Sequence, residues 1–118
     1  MTTGATDRPF TVVVCTGCLP PAAWSVLDEL RGSIRRCRHG VLVAAADPHR
    51  GPGTVVIVQP CTHDRSPVGA ARLVGPITDR NDAARVRDWV ERGEWDIEEL
   101  PHRLRLARND VRVTAALN

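Results

Sequence analysis

The chain has 118 residues, 42% of them hydrophobic but only 3% aromatic, with no tyrosine. Such a chain suits one small domain packed by Val, Leu, Ile and Ala, and the shortage of aromatic faces argues against a haem, flavin or base-stacking platform. Lys and Arg number 16 against 14 Asp and Glu, a net charge of +2, and both signs are dispersed, so nucleic acid is not an expected partner.

Residues 1–9 are polar and read as a disordered tail with no secretory signal. No apolar run approaches the roughly 20 residues of a membrane span. The expectation is a cytoplasmic protein with no membrane partner, whose four cysteines are reduced, metal-bound or catalytic rather than a disulfide framework. Phe10-Thr11-Val12-Val13-Val14-Cys15 is short, apolar and β-branched, the pattern of a buried strand. Pro20 and Pro21 suit a helix start, where a missing N–H costs little. Ala23, Trp24, Val26, Leu27, Leu30 and Ile34 then recur at helical spacing and predict a helix over 21–36. Val41–Ala46 reads as a second buried strand, parallel to the first across a right-handed crossover. Residues 47–53, with two prolines and two glycines, form a loop.

A third strand is expected over 54–59, a polar loop over 60–71, and a short fourth strand over 72–75, antiparallel to the third. A second helix follows over 80–92. Ala83, Val86, Trp89 and Val90 supply its apolar face, Thr78 or Asp79 its cap, and Gly93 its stop. Trp24 and Trp89 are expected to pack helix on sheet, and Trp95, beyond the stop, to be exposed for a partner. Residues 94–118 show no strong period and read as a C-terminal extension of the 10–93 domain that either docks as an extra strand or stays partly loose. The order β-α-β-β-β-α predicts an α/β (α+β) layered fold, a four-stranded mixed sheet with two main helices. A thioredoxin-like arrangement is the simplest architecture with that order.

The chemistry concentrates where the first strand ends. Cys15-Thr16-Gly17-Cys18 brings two thiols to the start of a helix, where backbone amides and the dipole favour a thiolate. A Cys-x2-Cys pair serves either thiol–disulfide exchange or metal binding; against these stand two inert, half-buried thiols. Exchange in a thioredoxin-like site also wants a cis-proline directly before the third strand, and Pro52 lies one residue early. His49 and Arg50, in the adjacent loop, could make that end electropositive. A second set, Cys37, His39, Cys61 and His63, has the donors of a tetrahedral Zn²⁺ site. It falls at the opposite end of the expected sheet, with strand one separating its halves. His63-Asp64-Arg65-Ser66 reads as a polar loop rather than an acid–base cluster.

Three segments resemble the thioredoxin-fold [2Fe-2S] ferredoxins, related to a small subunit of respiratory complex I and of hydrogenases. They are Val14-Cys15-Thr16; Gly51-Pro52 followed by Val55-Val56-Ile57-Val58 and Pro60; and Val74-Gly75-Pro76-Ile77-Thr78 with a helix ending at Gly93. The resemblance spans roughly 11–93. It implies a cluster held by four thiolates, with Cys15 as the first ligand and Cys18 as the second. The other two ligand positions align with Ala44 and Pro48, neither of which binds iron. The resemblance therefore implies a ferredoxin-like redox or metal-cofactor protein with a partly lost [2Fe-2S] site. Cys15 and Cys18 would be its ligands, completed by His49, by a protein partner or by a second copy in a homodimer. Zn²⁺ or no cofactor at all are the alternatives. The rival readings are a non-catalytic interaction module, docking through the 60–71 loop and the C-terminal segment, and a metal-free dithiol protein.

Overall fold

Residues 5–15, 26–45 and 54–105 are described in a computed structural model. β1 (Phe10–Cys15), α1 (Val26–Ile34), β2 (Gly40–Ala45), β3 (Thr54–Pro60), β4 (Arg72–Ile77) and α2 (Arg80–Arg92) follow one another, and two 3₁₀ turns occupy Ile97–Glu99 and His102–Leu104. The strands make one mixed sheet in the order β2-β1-β3-β4. β1 and β2 are parallel, while β1–β3 and β3–β4 are antiparallel. The expected α+β layer, with four strands and two helices, is the observed one.

Side chains alternate across a strand, and the alternation sorts β1 and β3 into two faces. Phe10, Val12, Val14, Val56 and Val58 point to one side, where Val26, Leu30 and Ile34 of α1 meet Ala83, Val86, Trp89 and Val90 of α2. α2 buries the stripe that its helical spacing predicts, and the described part of α1 buries Val26, Leu30 and Ile34 with Leu27 partly covered. Val13, Ile57 and Leu73 form a smaller cluster on the other face, flanked by Ala45 and Ala71. Central strands packed on both sides need apolar residues at successive positions, which is why β1 and β3 are near-continuous aliphatic runs.

Helix α2 starts and stops as its sequence predicts. The Asp79 carboxylate accepts from the Asp82 amide at 2.7 Å, and Gly93 closes the helix at φ 78° with its N–H on the Val90 carbonyl. A side chain at Gly93 would also collide with the Thr6 hydroxyl. The described part of α1 ends at Ile34, two residues short of the expected limit, and turns through bonds from the Arg36 and Cys37 amides to Ser33 and Ile34. Its expected start at 21–25, with Trp24, lies outside the described residues. The helices are tied by Arg87–Glu29 at 2.5 Å and Arg36–Glu91 at 2.6 Å. Such partly exposed pairs contribute at most about 1 kcal/mol each.

Two expectations need correction. β2 is not buried: it is the edge strand, with β1 on one side only, and Val41 and Val43 are 38% and 41% exposed. Trp95 is not exposed: it is 1% exposed, turned back by its own left-handed backbone (φ 53°) just after Gly93. Its ring lies 5.1 Å from that of Phe10, and its indole N–H donates to the Val90 carbonyl at 3.1 Å. Residues 5–9 of the expected tail are held against the fold: the Thr6 amide donates to the Glu91 carbonyl at 2.8 Å. The segment after α2 is likewise part of the core, since Leu100 and Leu104 are buried with Trp95 and Arg105 bridges to Val74 of β4. Among the described residues no helix is long and apolar enough to cross a membrane.

Candidate functional site

The sheet register separates the chemistry-bearing residues into two ends. Cys15 closes β1 and is 1% exposed. Its partner on β2 is Ala45, and because Val14 pairs with Val56, the start of β3 lies on its other side. Gly75 and Pro76, joined by a cis peptide bond, reach the same end, because Ile77 pairs with Thr54. Gly75 has φ 139°, and a side chain there would stand 2.7 Å from the Thr54 carbonyl oxygen, so β4 approaches β3 closely. Cys18, His49 and the aligned ligand position Pro48 lie outside the described residues, as does Pro52.

Ala44, the other position that the resemblance assigns to a lost thiolate, pairs with Val14 rather than with Cys15. Val14 belongs to the helix-side core, whereas Ala45 packs with Val13 on the opposite face. Strand alternation therefore puts Ala44 and Cys15 on opposite faces, although they share one end of the sheet. The β2 residue on the same face as Cys15 is Ala45.

The second set gathers at the other end, where Phe10 pairs with both Gly40 and Pro60. The loops do bridge β1 at the histidines: the rings of His39 and His63 meet edge to face, with centroids 4.7 Å apart. The thiols do not join them. Cys37 is packed among helix-side core residues, where burial above all, with the nearby Glu91 carboxylate, raises its pKa above the ordinary thiol value, partly offset by Arg36 and a backbone bond from Thr6. Cys61 accepts from Arg65 Nη1 at 3.5 Å, while the same nitrogen donates to the Phe10 carbonyl at 3.0 Å. Among the described residues no three His, Cys, Asp or Glu side chains are grouped to hold a metal ion. The Cys37, His39, Cys61 and His63 set is thus two histidines in contact and two thiols engaged elsewhere.

The 63–66 segment is a polar turn. The Thr62 hydroxyl bonds to the Asp64 carboxylate, and the Thr62 amide donates to the Ser66 carbonyl at 2.8 Å. Bonds from Thr62 and Ser66 hold the Asp64 carboxyl below its ordinary pKa.

One feature has no local signature in the sequence. A cavity of about 490 Å³ opens between the 68–73 stretch and residues 95–97, with Arg8 and Arg72 on its wall. Arg8 reaches it from the N-terminal segment, 85 residues from the Gly93 carbonyl it bonds. No family model, curated protein or solved structure matches the chain.

Proposed function

We propose that the chain is a small ferredoxin-like redox or metal-cofactor protein of thioredoxin-like fold, centred on Cys15 and Cys18, in which a [2Fe-2S] site is partly lost. The observation that carries this reading is the place of Cys15: a thiol at the C-terminal end of an internal strand, where ligand-binding residues of parallel β-α-β units collect. Its near-complete burial shields it from bulky reagents, which suits a thiol whose partner is a neighbouring thiol or a bound ion. A complete four-thiolate cluster does not fit this chain alone. Ala44 offers no ligand and lies on the face opposite to Cys15, so completion falls to His49, a protein partner or a second copy. Such chemistry belongs to a reducing compartment, the cytoplasm. The test is iron, sulfide and zinc analysis of protein purified without oxygen, beside the double variant Cys15→Ser, Cys18→Ser. Metal that is present in the native protein and absent from the variant supports the reading. A metal-free native protein whose two thiols do not oxidise as a pair contradicts it.

A second reading, a non-catalytic interaction module or homodimer, is favoured by the outer edge of β2, which no described strand pairs with. Gly40-Val41-Leu42-Val43-Ala44-Ala45 carries no charge or proline, the devices that usually protect an edge from pairing. β4, the other edge, is bridged by Arg105. In this reading Val43→Lys converts a dimer into a monomer on size-exclusion chromatography with an unchanged circular dichroism spectrum. A native protein that is monomeric at high concentration and captures no partner through β2 contradicts it.

A further inference from the structure

The cavity beside Trp95 is independent of the thiols. It lies toward the Pro60 end of β3, away from Cys15. Its apolar wall includes Val68, Leu73 and Ile97, and its polar wall Arg8, Arg72 and Asp96. Its volume, about 490 Å³, is within the usual range of small-molecule sites.

The two guanidinium groups are held in place, and among the described residues neither forms an ion pair. Arg8 stacks on the Trp95 ring, its carbon 4.6 Å from the centroid, and donates to the Gly93 carbonyl. Arg72 donates through Nε to the Trp95 carbonyl at 3.2 Å and through Nη1 to the Ala70 carbonyl. Neutral carbonyls and an aromatic face fix orientation but leave the charge uncompensated. Arg36, Arg87 and Arg103, by contrast, face Glu91, Glu29 and Asp82. Among the described lining residues the one acid is Asp96, and it accepts from the Glu98 amide at 3.0 Å to cap the 97–99 turn. Two guanidinium groups against one carboxylate leave the wall with one net positive charge. A guanidinium has five N–H donors, so each arginine keeps donors for a ligand. Held arginines next to an apolar recess are suited to an anion joined to an apolar body, because the planar donor fork matches a carboxylate.

We propose that this cavity binds a small organic carboxylate, with the carboxylate on Arg8 and Arg72 and the apolar body against Val68, Leu73 and Ile97. The site uses no cysteine, and its occupancy does not depend on any metal.

The experiment is titration of the native full chain with octanoate, octan-1-ol and octylammonium, followed by amide chemical shifts in NMR. The expected result is saturable octanoate binding, with shifts concentrated at 68–73 and 95–97, weakened by added salt. Removing the charge weakens binding by about tenfold or more, tenfold being the least that one charge-assisted hydrogen bond is worth, so octan-1-ol binds at least about tenfold less tightly and octylammonium less tightly still. Arg72→Gln weakens octanoate by a similar factor, and Arg72→Lys, which keeps the charge but not the planar fork, restores only part of it. Octan-1-ol binding as tightly as octanoate, shifts elsewhere in the fold, or no saturable octanoate binding would overturn the proposal. The three-ligand comparison on the native chain decides it even where a variant fails to fold.

Discussion

Replacing Leu104 with Ala tests whether the segment after α2 is part of the domain or an appendage. Leu104 is fully buried in the 102–104 turn and shares the helix-side core with Trp95, Leu100 and the β-strand residues Val56 and Val74. Truncation removes apolar side-chain atoms from a packed site and leaves a cavity that the fixed strands β3 and β4 cannot fully close. Substitutions of this kind cost about 2–5 kcal/mol. A domain of this size has roughly 5–15 kcal/mol of stability in total, so a large share of it is at stake. The expected drop in Tm is on the order of 10–20 °C, scaling from typical unfolding entropies. The assay is urea denaturation followed by tryptophan fluorescence, with Trp89 and Trp95 as buried reporters, beside Arg85→Ala as an exposed control expected within about 0.5 kcal/mol of the native protein. The midpoint should fall while the slope with denaturant stays constant. A loss below about 1 kcal/mol for Leu104→Ala would refute the placement of residues 94–105 in the core.

Further outcomes follow from the same contacts. Gly93→Ala should lower stability by more than the roughly 1 kcal/mol typical of a lost left-handed glycine, because the new methyl also meets the Thr6 hydroxyl; thermal unfolding measures it, and a neutral result would contradict the docking of residues 5–9 on α2. Cys37 should alkylate slowly near neutral pH and faster only above the ordinary thiol range, since burial favours its neutral form. With a folded pKa above the unfolded one, its contribution to stability is complete below the unfolded value and is lost as pH rises through the folded value; a reaction at neutral pH as fast as that of an exposed thiol would contradict the burial. A third thiol installed as Ala45→Cys, on the face of Cys15, should increase zinc or cluster retention more than Ala44→Cys, on the helix-side face; metal analysis after anaerobic reconstitution checks it, and the reverse order would contradict the sheet register.

What the sequence made legible was local. The β-branched runs of β1 and β3 predicted strands because a central strand must be apolar at successive positions, and Ala83, Val86, Trp89 and Val90 marked α2 because one stripe of a helix must meet the sheet. Asp79 and Gly93 bounded that helix by chemistry that acts within one turn. The exposure of β2 was not legible, since an aliphatic run reads alike whether it lies at the centre of a sheet or at its edge; the edge position is a property of the strand order. Trp95 was misplaced because a glycine stop says that a helix ends, not where the chain goes next. The cavity was invisible for the same reason: Arg8, Arg72 and Trp95 come from three distant segments, and only the fold sets Arg8 over the indole. The contact between His39 and His63 was partly legible, since both follow a Cys-x-His step at one end of the sheet, but the division of their cysteines between core and arginine depends on tertiary packing.

The most direct measurement of the central claim is the joint behaviour of Cys15 and Cys18 in the native protein. Protein purified without oxygen is exposed to a graded thiol–disulfide buffer, with and without chelator, and each cysteine is quantified by differential alkylation and mass spectrometry. Cys15 and Cys18 should change state together, either protected together until a bound ion is removed or oxidised together into one disulfide, while Cys37 and Cys61 follow neither. Cys15 and Cys18 reacting independently of each other, indifferent to chelator and to the buffer, would show two unconnected thiols and contradict the account.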